Sequence, residues 1–366
     1  MSVKRQLPLL MILALVSAVL LCGTCSLEGN IAEWGTSSAS GGGLSPLENS
    51  PADTAWYTAN PSATYFYIST AEELAGLAWL VNSGVDNFGG ETIMQTSDIN
   101  LEGVNWKSIN PYFAGTYDGG GHTISKLTIE SASSNDGLFG SVSSTGVVKN
   151  IKLINVTITG ASIVGGVVGS NNGTVENCYI TGNVYGSHQS FGGVVGENTG
   201  GTVRNCSFDG KVTGNHNVGG VVAYNDGTVE SCYAIGYVAG NDYVGGVVGS
   251  NSSGSTVQSC VALNDSITAA IDSEDYIGRV VGNLAGYILQ NNYASNSMAV
   301  EYNTNTTYVP DDTANADNNK DGKDVASGTG TGQYNNQSWW SGTASFDLSE
   351  SGPWKWDSVK QLPVLK

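Results

Sequence analysis

Charge is scarce in this chain, and positive charge scarcest. Asp, Glu, Lys and Arg make up 13% of the 366 residues, about half the usual share of ~25%. Lys and Arg number 14 against 32 acidic residues, for a net charge of −18. Removing Lys4 and Arg5 with an export signal lowers the charge further. Such a surface repels phosphate backbones, which argues against a nucleic-acid partner. Histidine is rare, at three residues, and no HExxH pattern is present, so zinc peptidase chemistry has no motif here. Beyond the first 25 residues no apolar run is long enough to span a bilayer, which takes ~20 residues. No cofactor-binding motif occurs.

What the chain has in excess is glycine, 50 residues, roughly twice the usual ~7%. Apolar residues still make up 40%, with 17 Tyr and 8 Trp, too many for a disordered chain. The length suits two or three ordinary domains, or one elongated repeat array in which each unit buries its apolar face on its neighbours.

At the N-terminus, Lys4 and Arg5 precede an almost wholly apolar stretch from Leu7 to Leu21, followed by small and polar residues from Gly23. The pattern predicts a signal peptide over 1–25; a spanning anchor is the alternative, for which the run is short. Cys22 and Cys25 stand where bacterial lipoproteins carry the acylated cysteine. Leu21 before Cys22 is large for that pattern, whereas Gly23 and Thr24 before Cys25 are small enough. Lipid attachment at Cys22 or Cys25, or plain cleavage and secretion, are the two expectations. Residues 26–55, rich in Ser, Gly and Pro from Thr36 on, read as a flexible tether.

The centre of the chain repeats. Segments starting at Val164 (VGGVVGSNNGTVENCYITGNVYG), Phe191, Val218 and Val244 are one motif, with looser copies at Gly137 and Ile277, giving six units over 137–300. Cys178, Cys206, Cys232 and Cys260 recur at intervals of 28, 26 and 28, and Ile151 and Asn292 take the equivalent places in the outer units. Periods in this range mark solenoids, propellers or arrays. From Cys178, residues Ile180, Gly182 and Val184 share its parity, so a strand runs here with that side inward. Val175 lies three residues before the Cys and breaks the parity, which requires a corner between them. Asn177, Asn205, Ser231 and Ser259 sit at that corner, where a left-handed residue would turn the chain. Three short strands in about 27 residues make one turn of a parallel β-helix; a WD-type propeller blade needs four strands in ~40 residues. Stacked turns align identical residues in columns ~4.8 Å apart, and Asn171, Asn198, Asn225 and Asn251 are expected to form an Asn ladder.

The motif GGVVGxNxGTVxNCY resembles the GLUG repeat of bacterial and archaeal surface and secreted proteins, among them adhesin-like and haemagglutinin-like proteins and non-catalytic regions of some immunoglobulin A-cleaving peptidases. The resemblance is specific over the four central units. It implies an all-β, right-handed parallel β-helix, in line with the general crossover rule. Arg279 replaces the second glycine of the pair and predicts an altered final coil.

Thr70 and Glu73 form a capping box ahead of Leu74, Leu77, Ala78 and Val81 on one face, which predicts a short capping helix. Residues 56–136 then form an N-terminal cap and first coils, 301–335 a polar loop, and 336–366 C-terminal cap strands, because a solenoid must cover its open ends.

Candidate chemistry is sparse. The stacked cysteines point in parallel, a poor geometry for disulfides, and read as small apolar core residues. His188, His216 and Asp242 each lie ten residues after their Cys, so they can share one loop face and converge on a divalent metal, or be variable loop tips. Asp317, Asn319, Asp321 and Gly322 match the start of an EF-hand loop, but the twelfth position is Gly328, not a carboxylate. Polysaccharide cleavage needs paired carboxylates or a placed base. Arg204, Lys211 and Arg279 are scattered, Glu176, Glu230 and Gln258 share the solvent-facing column of Arg204, and His122 falls in the cap. Tyr179, Tyr233 and Tyr293 point outward and can stack on sugars, with Ser207 and Val261 interrupting the column. The expectation is a non-enzymatic, exported protein, at the cell surface or secreted, which binds an extracellular protein or glycan and touches a membrane only through an N-terminal lipid. A structural spacer and a polysaccharide lyase or hydrolase remain the alternatives. No catalytic or metal-ligating set and no cofactor is assigned.

Overall fold

The computed structural model describes residues 52–270, 273–285, 288–303, 306–307, 316 and 318–366. Cys22, Cys25 and Asp317 lie outside them.

Parallel strands stack coil upon coil into a β-solenoid of about nine turns. One complete coil runs through four strands, Ser162–Gly165, Val168–Asn171, Thr174–Glu176 and Tyr179–Gly186. The next repeats it at Gln189–Gly192, Val195–Asn198, Thr202–Arg204 and Ser207–Thr213. Four sheets result. Two run the length of the molecule, and two six-stranded sheets span the coils that begin at Ser134.

The coil therefore has four strands rather than the three expected, because the GGVVG segment bends at its second glycine instead of continuing as one strand. A second left-handed corner precedes that bend at Asn135, Ile163, Ser190, Asn217 and Tyr243, with φ between 50° and 67°. Its residue types vary too much to signal it. The corner inferred from parity is present: Asn150, Asn177, Asn205, Ser231, Ser259 and Asn291 all have φ between 51° and 57°.

The second glycine of each pair is fixed by stacking. A Cβ on Gly166 would lie 2.3 Å from the Gly193 carbonyl oxygen, on Gly193 2.2 Å from that of Gly220, and on Gly220 2.1 Å from that of Gly246. At Arg279 no further GLUG coil follows, so a side chain fits and turns into the terminal segment. There Arg279 is buried; its guanidinium donates to Asp324 (2.5 Å) and to the Gly322 carbonyl (3.2 Å). Its backbone N–H donates to Asp321 (3.0 Å). Residues 320–325, expected within a polar loop, thus supply the last partial coil: Lys323–Val325 pairs with Tyr293–Ser295, and the Lys320 carbonyl accepts from Val280 and Val281.

Inside, columns of Val, Ile, Phe and Cys are stacked and fully buried. At the N-terminal end the helix Ala71–Asn82 carries the expected capping box, with Glu73 N–H donating to Thr70 Oγ1 (3.2 Å) and Thr70 N–H to Glu73 Oε2 (3.2 Å). Its Leu74, Leu77, Ala78 and Val81 face joins the core beside Phe66, Phe88 and Ile93. The helix thereby covers apolar surface that a coil would cover elsewhere.

The C-terminal strands depart from the expected end cap. The helix Gln337–Gly342 and the antiparallel pair Trp354–Asp357 and Leu362–Leu365 lie as a strap along the outer face of the Cys-strand sheet. Trp339 meets Tyr293 edge-on at 5.1 Å, Trp340 and Trp354 pack on Tyr233, and the Tyr233 hydroxyl donates to the Pro363 carbonyl (2.8 Å). The cause is the outward apolar row Tyr233, Val261, Leu263 and Tyr293, which is left bare by its own coils and is buried by residues from elsewhere, Trp339, Trp340, Phe346, Trp354 and Leu365 among them.

Candidate functional site

The identical residues of the repeats are taken up by structure. Asn171 Nδ2 donates to Asn198 Oδ1 (2.8 Å), Asn198 to Asn225 (2.8 Å) and Asn225 to Asn251 (2.7 Å), all four fully buried. The ladder ends against Val142 on one side and Leu284 on the other. Cys178, Cys206, Cys232 and Cys260 are buried free thiols. Each Sγ–H donates to the backbone carbonyl two residues earlier, at 3.2 to 3.3 Å. Burial pushes the Cys206 and Cys260 thiols well above their ordinary range, whereas Cys232 between them is drawn down to about 5, against its burial, by hydrogen bonds from those two thiols and from the Cys206 N–H; all are sealed from solvent, where a reactive thiol needs access.

The proposed loop-face triad comes together only in part. His216 and Asp242 are register partners, and His216 Nδ1 lies 2.5 Å from Asp242 Oδ1. Gln189, not His188, occupies the preceding place in that column. His188 Nδ1 instead faces Ser187 Oγ (2.9 Å) and the Ala161 carbonyl (3.1 Å). Equal distance from the cysteine did not give equal register, because the turn after the Cys strand holds one residue more in the first of these coils: three residues separate Tyr185 from Gln189, against two between Thr213 and His216 and between Ala239 and Asp242. Among the described residues no three His, Cys, Asp or Glu side chains gather as a metal site. Of the EF-hand-like run, Asp321 is buried and accepts from Arg279 N–H, and Asn319 Oδ1 accepts from Asp321 N–H (2.9 Å), so these residues hold the terminal coil. His122 Nδ1 lies 3.5 Å from Asp98 Oδ1 at the surface.

The tyrosine row is corrected outright. Tyr233 and Tyr293 do point away from the coil, but the strap buries both, and Lys360 Nζ sits 5.1 Å over the Tyr179 ring. They form a second core rather than a sugar platform.

Two features at or near the surface remain. Asp118, Lys149, Glu176, Arg204, Glu230 and Gln258 are successive register partners. Lys149 Nζ lies 3.4 Å from Asp118, Arg204 Nε 2.7 Å from Glu176, and Gln258 donates to Glu230 (2.8 Å). Alternating signs one coil apart favour this register, although such exposed pairs contribute only about 0–1 kcal/mol each. The second feature is a crevice of about 320 Å³ where the end of the strap meets the early coils, with Asp118, Asn150, Lys152 and Asn177 on the coil side and Pro353 and Leu365 on the strap side. Asn150 and Asn177 were legible as corner residues; nothing local indicated that residues 353–366 return to them.

The GLUG motif pattern matches residues 187–213. Over 85 residues, 23% of this chain, the sequence is 45% identical to halomucin of Haloquadratum walsbyi, and the match covers 1% of that much longer protein. A provisionally named immunoglobulin A1 protease of Bacteroides ovatus, solved by crystallography, superposes with a TM-score of 0.63 at 21% identity, over 82% of this chain and 92% of that one. That likeness is one of fold. The matched unit recurs in register along the solenoid, and the chain is accordingly a parallel β-solenoid that carries the GLUG motif as its repeating coil.

Proposed function

We propose that this is an exported, non-enzymatic β-solenoid that binds an extracellular glycan or protein. The observation that carries the reading is where the coils differ. Asn, Gly and Cys recur at buried positions, while the outward columns change from coil to coil: Glu176, Arg204, Glu230, Gln258 in one, and Asn183, Lys211, Tyr237 in another. A scaffold held constant beneath a varied polar surface suits recognition better than bulk structure. The match to halomucin supports an extracellular setting. Among the described residues, the carboxylates, histidines and thiols discussed above pair with neighbouring coils or with backbone, and no two carboxylates are placed as an acid and base pair for polysaccharide cleavage.

A glycan and matrix-protein array probed with the purified chain tests this. Saturable binding without cleavage is expected; no binding above background would favour a spacer, and depolymerisation of a bound polysaccharide would overturn the non-enzymatic reading. Membrane attachment is a separate proposal, tested by radiolabelled palmitate incorporation that is lost in Cys22→Ala or Cys25→Ala.

A further inference from the structure

We propose that a second crevice, beside the N-terminal capping helix, binds the guanidinium of an arginine side chain presented by an extracellular protein, with Asp86 and Tyr112 as its contacts. This rests on the binding role proposed above and gives that role a site and a partner chemistry.

The crevice, of about 410 Å³, opens where the helix Ala71–Asn82 ends. Gly84, left-handed with φ of 71°, stops the helix, and the N–H groups of Val85 and Asp86 both turn back to the Leu80 carbonyl (3.0 and 3.3 Å). Val85 and Asp86 line the crevice from this side, and Pro111 and Tyr112 line it from the coil that follows. Hydrogen bonds tie the two segments together. Asn110 N–H donates to Asn82 Oδ1 (2.6 Å), Asn82 Nδ2 to the Ser108 carbonyl (3.1 Å) and Ala114 N–H to the Asn87 carbonyl (2.8 Å). The site is thus assembled before a ligand arrives, which limits the ordering cost.

Its charge has one sign. Among the described residues, Asp86 lines the crevice and no basic residue does. The half-buried Asp86 carboxylate is held in place without being neutralised: Oδ1 accepts from Phe88 N–H (2.8 Å) and Oδ2 from the Tyr57 hydroxyl (2.9 Å). An ionised carboxylate has about four acceptor sites, so about two stay open. The carbonyl end of the helix also lies here, with no basic residue in its last turn, and adds negative potential. The same sign registers at Tyr57, whose hydroxyl is pushed up to about 12 by burial, by its hydrogen bond to Asp86 and by the charges of Asp86 and Glu91.

The apolar lining selects which cation. Tyr112 is 60% exposed and Val85 52%, so an aromatic ring and aliphatic surface share the crevice with the carboxylate. A planar, weakly hydrated guanidinium stacks on such a ring while its N–H groups donate to a carboxylate, and its aliphatic stem covers apolar surface. A divalent metal ion demands more oxygen ligands than one carboxylate supplies. A neutral ligand would leave the charge unanswered.

The test uses the full chain with N-acetyl-arginine amide and its neutral isostere N-acetyl-citrulline amide, read by saturation-transfer NMR and titration. The arginine probe should bind in the millimolar range and the citrulline probe about tenfold more weakly. Asp86→Asn keeps an acceptor oxygen and removes the charge; it should weaken the arginine probe about tenfold. Tyr112→Leu keeps apolar surface and removes the ring, for a loss of about threefold. Tyr65→Leu alters an equally exposed tyrosine of the cap outside the crevice and should leave binding unaltered, with thermal unfolding showing all three variants folded. The probe pair needs no variant, so the proposal stays open to refutation even if one fails to fold. No binding of the arginine probe, equal binding of the two probes, or wild-type affinity in Asp86→Asn or Tyr112→Leu overturns it. The array separates this failure from that of the broader reading: capture of a glycan or protein that persists unchanged in Asp86→Asn removes this site and leaves the binding role standing elsewhere on the chain.

Discussion

Asp136 interrupts an otherwise apolar column, and its removal should stabilise the protein in a pH-dependent way. In register above it stand Val164, Phe191, Val218, Val244 and Ile277. The residue is 5% exposed, its Oδ2 has no hydrogen-bond partner, and Ser108 Oγ approaches Oδ1 only at 3.5 Å. Burial pushes the carboxyl up to about 6, against the pull of the Ser131 and Ser108 hydroxyls; in the unfolded chain it titrates near 3.9. Between those values the folded state holds the proton and the unfolded state does not. The contribution of this group to stability is therefore present below the unfolded value and is lost as pH rises through the folded one. At 1.36 kcal/mol per pH unit the loss amounts to about 3 kcal/mol above pH 6. Val fills the same place in the next coil, so Asp136→Val should be close to neutral near pH 4 and more stable than wild type by ~3 kcal/mol at pH 7. Urea unfolding of the two proteins at matched pH values isolates this residue, because every other titrating group cancels in the difference. A difference that stays flat from pH 4 to 7, or a Val variant less stable than wild type at pH 7, would refute the reasoning.

Three further outcomes are expected. Ile163 is half-buried with φ of 57°, a conformation unfavourable to a β-branched residue; Ile163→Asn should raise the unfolding free energy by ~1 kcal/mol, measured by denaturant titration. Gly193→Ala places a Cβ 2.2 Å from the Gly220 carbonyl oxygen and 2.3 Å from the Phe208 ring, and should lower stability by at least ~1–3 kcal/mol, whereas Gly200→Ala, in open space, should cost only the strain of its φ of 81°. Asn198→Leu severs the ladder at both joints, depriving the Asn171 amide of one acceptor and Asn225 Oδ1 of one of its two donors, the Gly227 N–H remaining; a loss of ~2–3 kcal/mol is expected, with hydrogen exchange quickening first in the coils of Asn171 and Asn225.

The solenoid was readable because its determinants are periodic. A parity break between Val175 and Cys178 located a left-handed corner, and Asn and Ser at that place made it chemically recognisable. The Asn ladder followed from spacing alone, since stacking converts sequence period into contact. Arg279 marked the altered coil because a side chain at that glycine position excludes a further stacked coil. The second corner escaped notice because Ile163 and Tyr243 are poor left-handed residues, held there by the coils on either side. The His188, His216 and Asp242 triad failed by one residue of register, because the turn after the Cys strand is one residue longer in the coil of His188.

What the sequence by itself determined is thus the coil: its corners, its inward columns and its ladders, each a contact between equivalent residues one period apart. What only the tertiary structure decided is everything aperiodic. The strap buries Tyr233 and Tyr293 through contacts more than 40 residues distant in the chain, and the crevice pairs Asn150 and Asn177 with Pro353 and Leu365. Repetition writes near neighbours into the sequence, whereas the place where a single returning segment docks depends on apolar surface that exists only once the coils have stacked.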